Sequence, residues 1–183
     1  MTAIAAPATT TWTIDPTHST VGFAVKHLVF STVRGTFSDV SGTFAVERDD
    51  LRTATLTAEI GVASINTGTE QRDAHLRSPD FFDAGQFPKA TFVSTGMTPK
   101  GDGTWLMAGA LTIRGTTKPV TLVVTPEGTG TDPWGNTKGG WSATTKIDRS
   151  AFGLTWNQVL ETGGLAVGND ITLTLDIQAK AEA

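Results

Sequence analysis

The chain's histidines are His18, His27 and His75. With Asp73 or Asp80 they are its first candidates for holding a metal or moving a proton. Zinc sites gather ligands at short recurring spacings. These three histidines are scattered, and His18 and His27 lie in separate parts of a β segment, so no metal site is expected. A serine-based triad has as little support, because there is no Gly-x-Ser-x-Gly elbow and Ser19 and Ser78 have no nucleophile context. Gly101-Asp102-Gly103 continues into Thr104-Trp105-Leu106 without the further glycine of a phosphate-binding turn. Cysteine is absent, which removes thiol catalysis, thiolate metal sites and disulfides together. What survives is His75 as a general base, oriented by Asp73 or Asp80. Its setting, Arg72-Asp73-Ala74-His75-Leu76-Arg77, is equally the solvated face of a short helix with neighbour ion pairs. Lys118 and Arg149 are further cations for an acidic group, or else exposed turn charges.

The histidine cluster belongs to a stretch, Asn66 to Phe92, that differs from the rest of the chain. Thr67 with Glu70 three residues later has the form of a capping box. Ser78-Pro79 offers a second helix start. A helical insert is therefore expected over about 67–86. Phe81, Phe82 and Phe87 follow among aspartates and are suited to plugging that insert onto a larger body.

The larger body reads as β-sheet. Val21, Phe23 and Val25 alternate with polar or small neighbours, as do Val40, Gly42, Phe44 and Val46, the period-2 signature of half-buried strands. Leu56, Ala58, Ile60 and Val62 form a third set, and Ala90-Thr91-Phe92-Val93 a fourth. Trp105, Met107, Gly109, Leu111 and Ile113 lead into the turn Arg114-Gly115-Thr116-Thr117. Val120, Leu122 and Val124 follow Pro119. The segment Pro126 to Gly140, rich in Gly, Thr, Asp and Pro, is expected to be a long surface loop. Trp141, Ala143, Thr145 and Ile147 resume the pattern, and Ile171, Leu173, Leu175 and Ile177 end it. About eight one-faced strands with short connections predict an all-β fold, an antiparallel barrel in preference to a sandwich, which also removes exposed edges.

A barrel of eight strands is filled by its own side chains or holds one small guest. The inward set carries large residues (Phe23, Phe44, Leu56, Ile60) and small ones (Gly42, Ala58, Gly109, Ala143). Val25, Phe92, Met107, Leu111, Ile113 and Leu122 join it, with Trp141, Ile147, Leu173 and Leu175. Phe81 and Phe82 are the insert's contribution. A packed interior and a cavity are both open on this pattern, and a filled barrel would act as an interaction module with an exposed apolar patch around Trp134. No charge recurs on the inward face, so a guest would be apolar, with a long hydrocarbon the natural choice. Each buried methylene is worth about 0.8 kcal/mol. A polar head would sit at the mouth, near His18, Arg72, His75, Lys118 or Arg149.

At 183 residues, with 38% hydrophobic and 17% charged residues, the chain has the size and balance of one globular domain. A net charge of −4 without a basic cluster argues against nucleic acid as a partner. Residues 1–11, Ala/Thr-rich and uncharged, are expected to be a disordered leader, and 12–183 the barrel domain. The start lacks the basic residues and apolar run of a secretory signal, and no stretch approaches the ~20 apolar residues of a membrane span. A cytoplasmic location without stable membrane insertion is the expectation; a homodimer stays open.

Several motifs together resemble the YceI-like family. They are Asp15-Pro16-Thr17-His18-Ser19 with Phe23 and His27-Leu28, then Arg72-Asp73-Ala74-His75-Leu76 with Asp80-Phe81-Phe82-Asp83 and Phe87-Pro88. Gly109 to Val120, Ile147-Asp148-Arg149 with Phe152-Gly153, and Val167-Gly168-Asn169-Asp170 complete the set. The resemblance runs in order from about Trp12 to the C-terminus. It implies an extended lipocalin-like barrel whose lumen holds a polyisoprenoid chain, with quinone-type or prenyl-phosphate molecules among the guests. It implies a carrier or store instead of a catalyst, with no resident cofactor and no catalytic set to carry over. Many members of the family carry a secretion signal and work in the periplasm; this chain departs from them there.

Overall fold

The computed structural model describes residues 8–182. The chain begins with β1 (Thr9–Ile14), a 3₁₀ turn (Pro16–His18) and β2 (Thr20–His27). It continues through β3 (Ser31–Phe37), β4 (Val40–Glu47) and β5 (Asp50–Gly61). A second 3₁₀ turn (Val62–Ser64) leads to the two-residue β6 (Ile65–Asn66) and the helix α1 (Glu70–Arg77). Long strands follow: β7 (Lys89–Gly101), β8 (Thr104–Ile113), β9 (Thr116–Thr131) and β10 (Thr137–Asp148). A third 3₁₀ turn (Arg149–Phe152) and a loop precede β11 (Val167–Ala181).

These segments make eight walls. β1 and β2 are two halves of one kinked strand, since both pair antiparallel with β11, Ile14 opposite Ala179 and Thr20 opposite Asp176. β3 and β4 lie likewise along them, and β5 and β6 along β4 and β3. β7 to β11 follow as a meander, and the pairing of β1 with β11 closes the ring. The fold is therefore the all-β, eight-stranded antiparallel barrel expected from the alternation. Closure leaves each wall paired on both sides, which a one-faced sheet of this length needs.

Each kink has a local cause. At the first, the Asp15 carboxylate accepts from Thr17 N–H and Oγ–H and pairs with His18 Nδ1 at 3.0 Å and Lys138 Nζ at 3.0 Å. The buried Ser19 hydroxyl donates to Gln178 O and accepts from Gln178 N, replacing the ladder bonds that the turn interrupts. Ser64 does similar work at the second, accepting from the N–H groups of Ser38 and Asp39.

Four expectations are corrected. The capping box does not form: α1 starts at the N-cap Thr69 without a side-chain bond, and the Thr67 hydroxyl donates to Asp73 instead. Ser78-Pro79 opens no second helix; Ser78 terminates α1, its N–H and hydroxyl both donating to His75 O. Pro126 to Gly140 is mostly strand, for β9 and β10 run on as a paired ribbon and leave only 132–136 as the turn. Thr9, Thr10 and Thr11, grouped with the leader, pair with Glu47, Val46 and Ala45 in β1. Residues 1–7 of that leader lie outside the described residues.

Candidate functional site

The alternation that builds the walls also lines their interior, because one face of every strand must turn inward once the ring closes. Two apolar chambers stack along the barrel axis, each with a cavity volume of about 130 Å³. They abut across Val21, Ile60, Ala90, Leu111 and Leu173, which line both. The lower chamber lies toward the β4–β5, β7–β8 and β9–β10 turns, between Phe44, Leu56, Ala58, Phe92, Met107 and Trp141. Leu122 and Leu175 complete that group. The upper chamber lies under the insert, between Phe23, Val25, Phe81, Phe82, Ile113 and Ile147. Of the residues placed in the lumen by the sequence pattern, all but Gly42 and Gly109 line one chamber or both.

Room arises at only two of the four places that the small residues indicated. Ala58 and Ala143 do border the lower chamber. Gly109 leaves no space: a Cβ there would lie 2.3 Å from the Phe92 ring, which has taken its place. At Gly42 a Cβ would meet the carbonyl oxygen of Thr57 at 2.4 Å. At the bottom, Trp12 and Phe44 meet Trp141 edge-on at centroid distances of 5.2 and 5.4 Å, closing the lower chamber with aromatic carbon.

The polar candidates distribute differently. Arg149, from the third 3₁₀ turn, is buried and lines the upper chamber. Its Nε donates to Gly168 O at 2.9 Å, and Nη1 to Leu154 O at 2.8 Å and Trp156 O at 3.0 Å. Nη2 reaches Val167 O at 3.4 Å. Burial pushes its pKa below the ordinary arginine value, opposed by the neighbouring Asp148 carboxylate. All its bonds go to main-chain carbonyls, so it clamps the 153–168 loop, and it is not the exposed turn charge considered from sequence.

The other four head-group candidates line neither chamber. His18 is exposed at the first kink, and Lys118 stands exposed on β9. Arg72 donates to Thr67 Oγ1, Thr67 O and Thr69 Oγ1, which secures the start of α1. His75 Nε2 meets Asp80 Oδ2 at 2.8 Å, with the imidazole edge-on to Phe81 and Trp156. Asp73 does not orient it: that buried carboxylate accepts from Thr67 N–H and Oγ–H. The pair needed for a general base exists, but neither of its residues lines a chamber. Among the described residues no cluster of three metal-ligating side chains occurs.

The sequence pattern missed further wall residues. Ile14, Met97 and Ala179 belong to the lower chamber, and Phe37, Phe152, Leu154 and Val167 to the upper. Phe37 follows Val33 and Gly35 along β3, where the glycine masks the alternation because the Phe23 ring fills its place, 2.4 Å from where a Cβ would be. Phe152 and Leu154 carry no strand signal at all; they sit in the turn and loop that Arg149 holds.

Comparison with known proteins places this geometry. The family model described as the YceI-like domain matches residues 12–179. A UPF0312 protein of Pseudomonas fluorescens is 42% identical over 141 residues, covering 74% of this chain and 71% of the relative. Among solved structures, BcnA of Burkholderia cenocepacia superposes with a TM-score of 0.78 at 25% identity, over 90% of this chain and 98% of that one. A domain from Saccharophagus degradans, described as polyisoprenoid binding and implicated in plant cell wall breakdown, shares the fold. It superposes with a TM-score of 0.63 at 14% identity, over 97% of this chain and 100% of that domain.

Proposed function

We propose that this chain, which belongs to the YceI-like family, binds a long isoprenoid-type lipid in its lumen and carries or stores it without transforming it. One observation carries the reading: two abutting chambers, walled by aliphatic and aromatic carbon, form a column along the barrel axis. Water gains little in such a space, since a buried water needs two to four polar partners. A flexible hydrocarbon gains about 0.8 kcal/mol per methylene, so ten methylenes supply about 8 kcal/mol before ordering costs. Arg149 is the charged group on the chamber walls, so a polar or anionic head belongs in the upper chamber with the chain running down toward Trp141. A quinone-type lipid fits the same column. The polyisoprenoid-binding description of the Saccharophagus domain supports this choice of guest.

Native mass spectrometry of the purified chain, followed by solvent extraction, tests the reading. The expected result is a mass above that of the polypeptide, lost on extraction, with a prenyl-type lipid in the organic phase. A chain of polypeptide mass that also fails to take up added prenyl alcohol would sink it.

A further inference from the structure

We infer that the β2–β3 tip and the 159–165 loop form a rim that docks on a lipid bilayer and sets the upper chamber against it. The inference rests on the lipid-carrier reading. Six large apolar side chains stand exposed among the described residues, and four of them lie in these two loops: Val29 (80%), Phe30 (81%), Val159 (77%) and Leu165 (49%). The loops are joined. Leu28 N–H donates to Ala166 O at 2.8 Å, His27 pairs with Val167, and Val159 and Leu165 face one another across a bridge.

Backbone strain shows that the apolar residues at the tip are not there for the turn's sake. Four hairpin turns of the barrel place consecutive residues at positive φ: Leu28–Val29, Arg48–Asp49, Asp102–Gly103 and Arg114–Gly115. Three of them contain the Asp or Gly that such turns favour. The fourth holds Val29 at φ 68°, a conformation that a β-branched residue adopts only at a cost. Asparagine or glycine would make the turn more cheaply. An exposed, strained, apolar tip is consistent with selection for what it touches.

The bilayer is the occupant that the surroundings favour. Val25 and Val167, beside the two loops, already line the upper chamber, so apolar surface continues from the lumen to the rim. A guest insoluble in water needs such a continuous path into a lipid phase. Exposed Lys26 and Arg34 flank the tip, against Glu161 on the loop, in a chain whose net charge is −4. The rim is therefore the part of an acidic protein suited to meet anionic head groups, with basic stems lying along its apolar edge.

Flotation of the full chain with vesicles of phosphatidylcholine and phosphatidylglycerol in equal parts tests this. Wild type is expected to float with the vesicles. Phe30→Ser should lower the partition on the order of tenfold, the equivalent of one large side chain withdrawn from an apolar phase. Trp134→Ser, at the opposite end, should leave it unchanged. Val29→Gly should raise the melting temperature by relieving the turn while lowering vesicle binding, a combination that general damage to the fold cannot produce. Wild type that stays in solution overturns the inference, as does Phe30→Ser floating like wild type. It also fails if Phe30→Ser instead abolishes a dimer seen by sedimentation, which would make a second copy the occupant. Lipid extraction from the same samples reports on the lumen separately: a wild type that floats with an empty lumen overturns the carrier reading and leaves the rim standing.

Discussion

At the lower end of the barrel, Trp12, Phe44 and Trp141 close the bore with their own rings, and β4–β5 and β7–β8 return through two-residue turns. At the upper end the bore is crossed by chain that belongs to no wall: α1 with its turns, and the loop 153–166. The lower closure is made by residues of the strands themselves, so it can open only if the barrel does. The upper closure is held by side chains reaching to backbone, Arg149 to the loop, and Arg114 Nη1 to Phe81 O at 3.0 Å. Such a lid can move without unpairing a strand. A guest of the kind proposed would therefore enter and leave at the upper end, and the sealed lower end would limit how far it descends.

Removing the upper clamp should have the largest effect. Arg149→Met keeps an apolar stem but leaves the carbonyls of Leu154, Trp156 and Gly168 without their donor. The expected loss is about 3–4 kcal/mol, since each stranded buried carbonyl costs about 1–3 kcal/mol and the site relaxes in part. For a domain of this size that is a fall of roughly 6–16 °C in Tm. Thermal melts measure it, and proteolysis should show first cleavage within 153–166. A variant that melts like wild type would mean that the loop is held by its own packing, and the contrast between the two ends would disappear.

The lower end can be tested with two substitutions that add carbon to two of its walls, β8 and β10. Gly109→Ala drives a Cβ against the Phe92 ring and the Val93 carbonyl oxygen, 2.7 Å away. Over-packing of that kind is expected to cost about 1–3 kcal/mol. Ala143→Leu instead fills part of the lower chamber. Its stability should stay within about 1.5 kcal/mol of wild type, while the amount of extractable lipid falls. If both variants lose stability alike and both keep their lipid, the lower chamber is not where the guest's tail lies.

The strands that carry a burial alternation were legible before the structure, down to the inward set of the last one, Ile171 to Ile177. So was their number, because each of the eight patterns corresponds to one wall. What escaped has physical reasons. In the outer β9–β10 ribbon the β9 half from Glu127 to Thr131 is exposed and the β10 half buries only Gly139, so nothing required apolar side chains. Its Gly and Thr content reads as loop although the two strands pair with each other. β3 loses its pattern at Gly35, where a neighbour's ring replaces a side chain. Thr67 and Glu70 have the right spacing for a capping box, but a buried carboxylate three residues further on competes for the same hydroxyl and wins. The chambers were legible as residues and not as space, since volume depends on which ring swings into which glycine. The role of Arg149 was hidden altogether, because main-chain carbonyls leave no mark in a sequence.

The smallest effect should come from the clamp nearer the lower end, and it should depend on pH. Asp15 accepts from Thr17 and His18 and pairs with Lys138, interactions that hold its carboxyl well below the ordinary value of 3.8. A carboxyl that titrates lower when folded stabilises the fold above its unfolded value, and that contribution drains away as the pH falls through the folded value. Arg149 stays charged across the same range, so the upper clamp gives no such dependence. Asp15→Asn should therefore match wild type most closely in strong acid and fall furthest behind it above about pH 4. Its curve of Tm against pH should be flatter on the acid side, whereas Arg149→Met should shift the whole curve down in parallel. If Asp15→Asn instead shows a constant offset at every pH, the charge on Asp15 is irrelevant to the kink, and only its turn-forming bonds to Thr17 hold it.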